Sequence, residues 1–200
     1  MILSGKEVML AHKKGRIIQY HIRNGTANVL IDNIAFPNGI VYEAKSSSII
    51  YSELTTHQIW KYHILSGKKT LLINNIFGFA DNFKLSHDNG DLLIGLVTAR
   101  DDLTEFLKDK PVLRKLLMFL PERLVYALAT KTARAIRVDP NTGAILEYMY
   151  GAPTKIRFVT SVIERNGKLY FSSLRAPTIV ILDKNAKPQK SAKAGRPEEL

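Results

Sequence analysis

Two short stretches of this 200-residue chain carry the residue types best suited to chemistry: Phe77-Gly78-Phe79-Ala80-Asp81-Asn82 and, upstream of it, Phe36-Pro37-Asn38-Gly39. Asn38, Asp81 and Asn82 offer amide and carboxylate oxygens, the hard donors that calcium prefers. A purely structural account is equally open, with Asn38-Gly39 as a turn and Asp81-Asn82 capping exposed backbone amides. Other chemistries lack their residues. The absence of cysteine removes disulfides, thiolate metal sites and thiol nucleophiles. His12, His21, His57, His63 and His87 fall at no metal-ligand spacing, and neither a Gly-x-Ser-x-Gly elbow nor a phosphate loop occurs.

The elements that must position these residues are legible as a repeat. Ile17-Ile18-Gln19-Tyr20-His21-Ile22 recurs as Ile59-Trp60-Lys61-Tyr62-His63-Ile64, and Val29-Leu30-Ile31-Asp32-Asn33-Ile34 recurs as Leu71-Leu72-Ile73-Asn74-Asn75-Ile76, both offset by 42 residues. The turn chemistry agrees: Asn24-Gly25 and Asn89-Gly90 tolerate the positive φ angles of tight hairpins. Ser48–Ser52 and Asp91–Gly95 read as buried strands. A period in the forties built from short strands predicts an all-β chain of the β-propeller type, one four-stranded blade per repeat. Equivalent positions of successive blades then converge on the central channel. Asn38 and the Asp81-Asn82 pair occupy such positions, which can become neighbours around one ion.

From Arg100 to Arg134 the period changes. Leu113, Leu116, Leu117 and Leu120 fall at helical spacing, as do Leu124, Val125 and Leu128. Asp102 with Glu105 resembles a capping box, and Pro111 and Pro121 suit first-turn positions. The reading is a helical insertion over about 101–132. Its apolar stripe is expected to pack on the propeller face as a lid; the alternative is an amphipathic element lying on a membrane, since Arg114, Lys115 and Arg123 flank the leucines.

Strands resume at Ala135–Val138, Ile145–Tyr148, Phe158–Ile163, Lys168–Ser173 and Ile179–Leu182, with turns at Asp139–Gly143 and Asn166-Gly167. The domain expected is residues 1–183, with Met1–Lys6 matching Ile64–Lys68 and so entering a blade partway. Lys184–Leu200 lacks an apolar period and is expected to be disordered. About four blade equivalents fit, the downstream two-thirds of a six-bladed ring, with roughly two blades expected upstream. An open ring exposes a blade face and unpaired edges, so the chain standing alone is expected to show poor stability or association through the open edge.

At 46% hydrophobic and 24% charged, the chain can bury a sizeable core. No apolar run is long enough to span a bilayer and no leader is visible. The net charge of +11 reads as a solvated basic surface, because no aromatic-basic module of the nucleic-acid folds accompanies it.

The ordered series Asp32–Gly39, Ile50–Glu53, Gly78–Asn82, the helical insertion and Asn166–Pro177 resembles the six-bladed propellers of the strictosidine synthase-like family, and more distantly the paraoxonase-type calcium-dependent esterases and lactonases. Ala80 departs from the proline usual before Asp-Asn, which should loosen that loop without removing a ligand. The resemblance implies Asn38, Asp81 and Asn82 as calcium ligands, an ester or lactone as substrate, and Asp81 near the reacting centre. It also implies an upstream signal-anchor with the propeller on the lumenal or extracellular side of a membrane, where the Asn24-Gly25-Thr26 sequon would be usable. The condensing activity of the family's plant members is excluded: aligned on Glu164-Arg165-Asn166-Gly167, the position of their glutamate holds Thr160, which cannot serve as a general acid-base carboxylate.

Overall fold

The computed structural model describes residues 12–100, 102–107, 110–117, 119–121, 124, 132–151 and 156–185. The Met1–Lys6 match, the side chain of the Asp102 cap, Arg123, Val125, Leu128 and all but the first two residues of the Lys184–Leu200 tail fall outside the described residues.

Four antiparallel sheets follow one another along the chain. β1 (Gly15–His21) pairs with β2 (Thr26–Ile34). The second sheet orders β3 (Pro37–Glu43), β4 (Ser48–Glu53), β5 (Gln58–His63) and β6 (Lys69–Ile73). The third orders β7 (Gly78–Leu85), β8 (Leu92–Ala99), β9 (Ala133–Val138) and β10 (Ile145–Gly151). The last orders β11 (Val159–Arg165), β12 (Lys168–Ser173) and β13 (Val180–Asp183). Two whole blades are thus flanked by a two-stranded and a three-stranded one, the partial propeller that the repeat predicted. The repeated segments are β1 with β5 and β2 with β6, each pair forming the same antiparallel hairpin.

Burial explains why the middle strand of a blade is apolar throughout. β8 is packed on both faces, so Leu92, Leu93, Ile94 and Leu96 are all fully buried. The period of two splits them: Leu92, Ile94 and Leu96 join Ile50, Ile59 and Phe83 against the preceding blade, whereas Leu93 joins Val162 and Leu169 against the next. Ile17, Ile34 and Tyr51 close the joint between the first hairpin and the second sheet.

A polar clamp supplements this packing at the outer end of the last joint. Arg137 of β9 donates from Nη1 and Nη2 to the two carboxylate oxygens of Glu164 on β11, at 2.7 and 2.8 Å. Ser86 and Lys184 also donate to that carboxylate. These donors hold the Glu164 carboxyl well below its usual range, at about 2, the Arg137 hydrogen bonds contributing most. Asp88 accepts from the amides of Asn166 and Gly167, tying the β7–β8 turn to the next hairpin.

Between β8 and β9 the insertion forms α1 (Asp102–Leu107) and α2 (Pro111–Leu117), with Pro111 opening α2 as expected. The lid does not form among the described residues. α2 buries none of its residues, and Leu107 is the one buried apolar side chain described in the insertion. An apolar stripe fixes which helix face seeks cover; it does not supply the cover.

Candidate functional site

The first strand of each blade, β3, β7 and β11, is the inner one, and the three lie side by side. Gly39 packs on β7 so tightly that a Cβ there would overlap the Asp81 carbonyl oxygen and come within 2.6 Å of the Phe83 ring. Gly95 makes a comparable approach to β11, where a Cβ would lie 2.6 Å from the Thr160 carbonyl. Glycine is required at both positions for close backbone approach rather than for a special φ.

The sequence-predicted residues sit within these inner strands, not in the blade-to-blade loops. Each inner strand changes register at the same level: between Pro37 and Ile40 in β3, between Ala80 and Phe83 in β7, and between Val159 and Ser161 in β11. The residues inside the irregularities are Asn38 with Gly39, Asp81 with Asn82, and Thr160. A β-bulge re-aims the side chains it contains and interrupts the ladder locally. These irregular stretches place Asn38, Asp81 with Asn82, and Thr160 on three adjacent inner strands. Asn82 Nδ2 donates to the Thr160 carbonyl at 3.3 Å, and Asn38 donates to the Asp81 carboxylate.

Supporting contacts hold the bulges. The Gly39 amide donates to the buried Ser52 Oγ at 2.8 Å, which satisfies a group that the β3 bulge frees from the ladder. His57, in the left-handed region at φ 54°, brings Nδ1 to 3.3 Å from the Gly78 carbonyl and meets the Phe79 ring edge-on at 4.7 Å. Ala80 is a buried strand residue paired with Leu96, so the segment expected to loosen is part of the ladder. Sequence reasoning assigned no site role to His57 and treated Thr160 only as a missing glutamate. His57 gave no signal because its partner lies 21 residues away in the next blade.

Asp81 is the electrostatic centre of the arrangement. Burial pushes its carboxyl up to about 6, against the lowering effect of the Asn38 hydrogen bond, and it forms no ion pair among the described residues. The donor set of one carboxylate, two side-chain amides and a nearby backbone carbonyl is hard and all-oxygen, which fits calcium and not a nitrogen- or sulfur-preferring metal. Among the described residues no group of three or more His, Asp or Glu side chains forms, at this site or elsewhere, so the donor set rests on a single carboxylate.

The family model described as strictosidine synthase matches residues 5–67. The chain resembles the strictosidine synthase-like family. Protein STRICTOSIDINE SYNTHASE-LIKE 1 of Arabidopsis thaliana is 26% identical over 184 residues, covering 88% of this chain and 46% of that protein. Adipocyte plasma membrane-associated protein of Mus musculus is 24% identical over 181 residues, covering 86% of this chain and 43% of the relative. The chain thus spans about half the length of the curated relatives it matches. Among solved structures, the nidogen/laminin complex superposes with a TM-score of 0.56 at 14% identity, covering 84% of this chain and 51% of that one. Regucalcin of Agrobacterium tumefaciens, described as a calcium-binding protein, gives 0.54 at 12% identity, covering 83% and 46%. These likenesses show the propeller fold of the chain.

Proposed function

We propose that the inner-strand site belongs to a calcium-assisted hydrolase of aryl esters or lactones, without strictosidine-forming activity. The observation that carries this reading is the half-buried Asp81 carboxylate, raised by desolvation, without an ion pair among the described residues and set between Asn38, Asn82 and Thr160. A desolvated anion held next to neutral oxygen donors is a binding position for a cation. The likeness to a protein described as calcium-binding is consistent with that assignment.

Asn38, Asp81 and Asn82 would hold the ion, with Asn38 orienting the carboxylate through its amide. When bound, calcium supplies Lewis-acid polarisation of the ester or lactone carbonyl oxygen. Above about pH 6 Asp81 is ionised and can hold the ion or accept a proton from a water at the reacting carbon; below it the protonated carboxyl does neither. Thr160 has no titratable side chain, which removes the acid-base group that condensation needs. The substrate is a small ester or lactone and not a nucleic acid.

A second reading is a non-catalytic propeller that binds at a membrane surface, favoured by the exposed helical insertion. Arylester hydrolysis by the full-length protein, with and without chelator, separates the two. Activity lost to chelator and to Asp81→Ala supports the hydrolase. Activity indifferent to both removes it.

A further inference from the structure

The second and third sheets have the same four places on the faces they turn toward the preceding blade. With Pro37-Asn38 set on Ala80-Asp81, cross-strand pairing fixes the equivalence. Ile40, Tyr51 and Trp60 form one row of the second sheet, and Phe83, Ile94 and Ile136 the matching row of the third. Glu53 opposes Pro37 where Leu96 opposes Ala80, and Lys69 opposes Tyr62 where Ile145 opposes Val138. In the third sheet Ile94, Ile136, Leu96 and Ile145 belong to one aliphatic core. In the second the same places hold Tyr51, Trp60, Glu53 and Lys69. A joint between blades therefore needs no aromatic or charged residue there.

Together the four form a cage around a cation. The Lys69 ammonium lies 4.1 Å from the centre of the Trp60 ring, 5.5 Å from that of Tyr51 and 3.3 Å from Glu53 Oε1. Aromatic faces attract a cation through the ring quadrupole, more strongly where water is excluded. The walls stand on the paired middle strands β4 and β5: Tyr51 is fully enclosed, and Glu53 is 4% exposed with Thr56 Oγ1 donating to its other oxygen. The occupant is less firmly placed. Lys69 reaches in on a flexible stem from the outer strand β6, with 34% of its side chain open to solvent. It also leaves walls unserved, since Tyr51 Oη and Trp60 Nε1 are shielded from water without a hydrogen-bond partner. An ammonium only donates and offers nothing to the Trp60 N–H.

We propose that this cage is a binding site for a small methylated ammonium ion, held closed in the free protein by Lys69. A quaternary ammonium keeps the charge that Glu53 and the rings attract, requires no hydrogen bonds and is less strongly hydrated than a lysine head. The opening filled by one lysine side chain suits a small free ion. Lys69 is a tethered competitor, present at an effective concentration on the order of millimolar, so the ligand must exceed that level to enter. The site is separate from Asp81 and does not depend on the hydrolase reading.

Trp60 is the single tryptophan, so the emission of the full chain reports on the cage. Tetramethylammonium chloride, titrated against sodium chloride at equal ionic strength, should change the emission of Lys69→Ala at a concentration about tenfold or more below that needed for the parent, because the tethered competitor is gone. Calorimetry gives a second reading. Lys69→Ala leaves Glu53 enclosed without its cation, and tetramethylammonium should restore part of the lost melting temperature by binding the folded chain. The same rescue should be absent when Lys69→Ala is combined with Trp60→Leu, and much reduced when it is combined with Glu53→Gln. Circular dichroism verifies that the variants keep their strands. A response of Lys69→Ala no greater than that to sodium chloride, an affinity unchanged by removal of Lys69, or equal rescue with Trp60→Leu and with Glu53→Gln would each overturn the proposal.

Discussion

Two acidic side chains on neighbouring inner strands are treated in opposite ways. Glu164, at the outer end of β11, is fully enclosed and receives Arg137, Ser86 and Lys184, so its carboxyl falls to about 2. Asp81, near the start of β7, is half-buried with one amide donor, and its carboxyl rises to about 6. The joint between the blades can therefore satisfy a buried carboxylate, and does so at one end. At the other it leaves a carboxylate under-compensated. A group whose environment opposes its own charge is a place where the fold gives up stability, which natural proteins do chiefly at functional sites.

The contrast is broken most severely at the satisfied end. Glu164→Gln strips the buried Arg137 guanidinium of its bidentate partner; Glu147 at 2.9 Å and Asp91 at 3.5 Å remain beside it, so the loss should fall at the low end of the about 3–5 kcal/mol that breaking a buried pair costs. Urea melts at neutral pH should show it. Arg137→Met should have a comparable effect, since it leaves Glu164 buried with only Ser86 and Lys184. The sign with pH is fixed: Glu164 titrates lower in the folded chain than when unfolded, so its contribution is present above its ordinary value of 4.5 and is lost as pH falls toward about 2.

Next in size is Gly39→Ala, which leaves every charge in place. Its Cβ would meet the Asp81 backbone and the Phe83 ring, and such overpacking costs about 2–3 kcal/mol unless β3 and β7 move apart. If they do separate, the Asn38 to Asp81 hydrogen bond is lost and the Asp81 carboxyl rises further. Thermal melts together with NMR titration of Asp81 distinguish the two responses.

How much of this could be read beforehand follows the range of the forces involved. The repeat, the hairpin turns and the start of α2 depend on local patterns, and the two hairpins β1–β2 and β5–β6 realise the repeat directly. Asn38, Asp81 and Asn82 were visible because the repeat put them in equivalent places. The bulges were not, because a register shift is a relation between two strands that neither sequence displays alone. Arg137 with Glu164 and Asn82 with Thr160 join residues 27 and 78 apart, so composition gave no sign of them. What the insertion packs against was not legible for a related reason: helical periodicity describes one surface and is silent about the facing one.

Asp81→Asn should act in the direction opposite to Glu164→Gln. It removes a charge that the fold disfavours, so the variant should be more stable at pH 7 by about 1–2 kcal/mol once partial solvent exposure is discounted. Asp81 titrates higher folded than unfolded, so the folded chain binds more protons between its ordinary value of 3.8 and about 6, and stability falls as pH rises through that window. The difference between variant and parent should thus vanish near pH 4 and reach its plateau above pH 6. A variant that is less stable at pH 7 would mean that Asp81 is held by partners as Glu164 is, and the contrast would collapse.

The smallest effect tests what the under-compensation is for. A cation that binds the folded site stabilises it by mass action, about 1 kcal/mol when free calcium is a few times its dissociation constant. Differential scanning calorimetry at pH 7 should show a small rise in melting temperature with calcium and its reversal by chelator. Proton and cation compete for Asp81, so the rise should fade as pH is lowered below about 6, and it should be absent in Asp81→Asn. Magnesium should substitute poorly, because it demands near-octahedral geometry that side chains spread over adjacent strands do not readily supply. If calcium stabilises Asp81→Asn as much as the parent, the ion binds elsewhere, and the raised carboxyl serves only to tune the joint between blades.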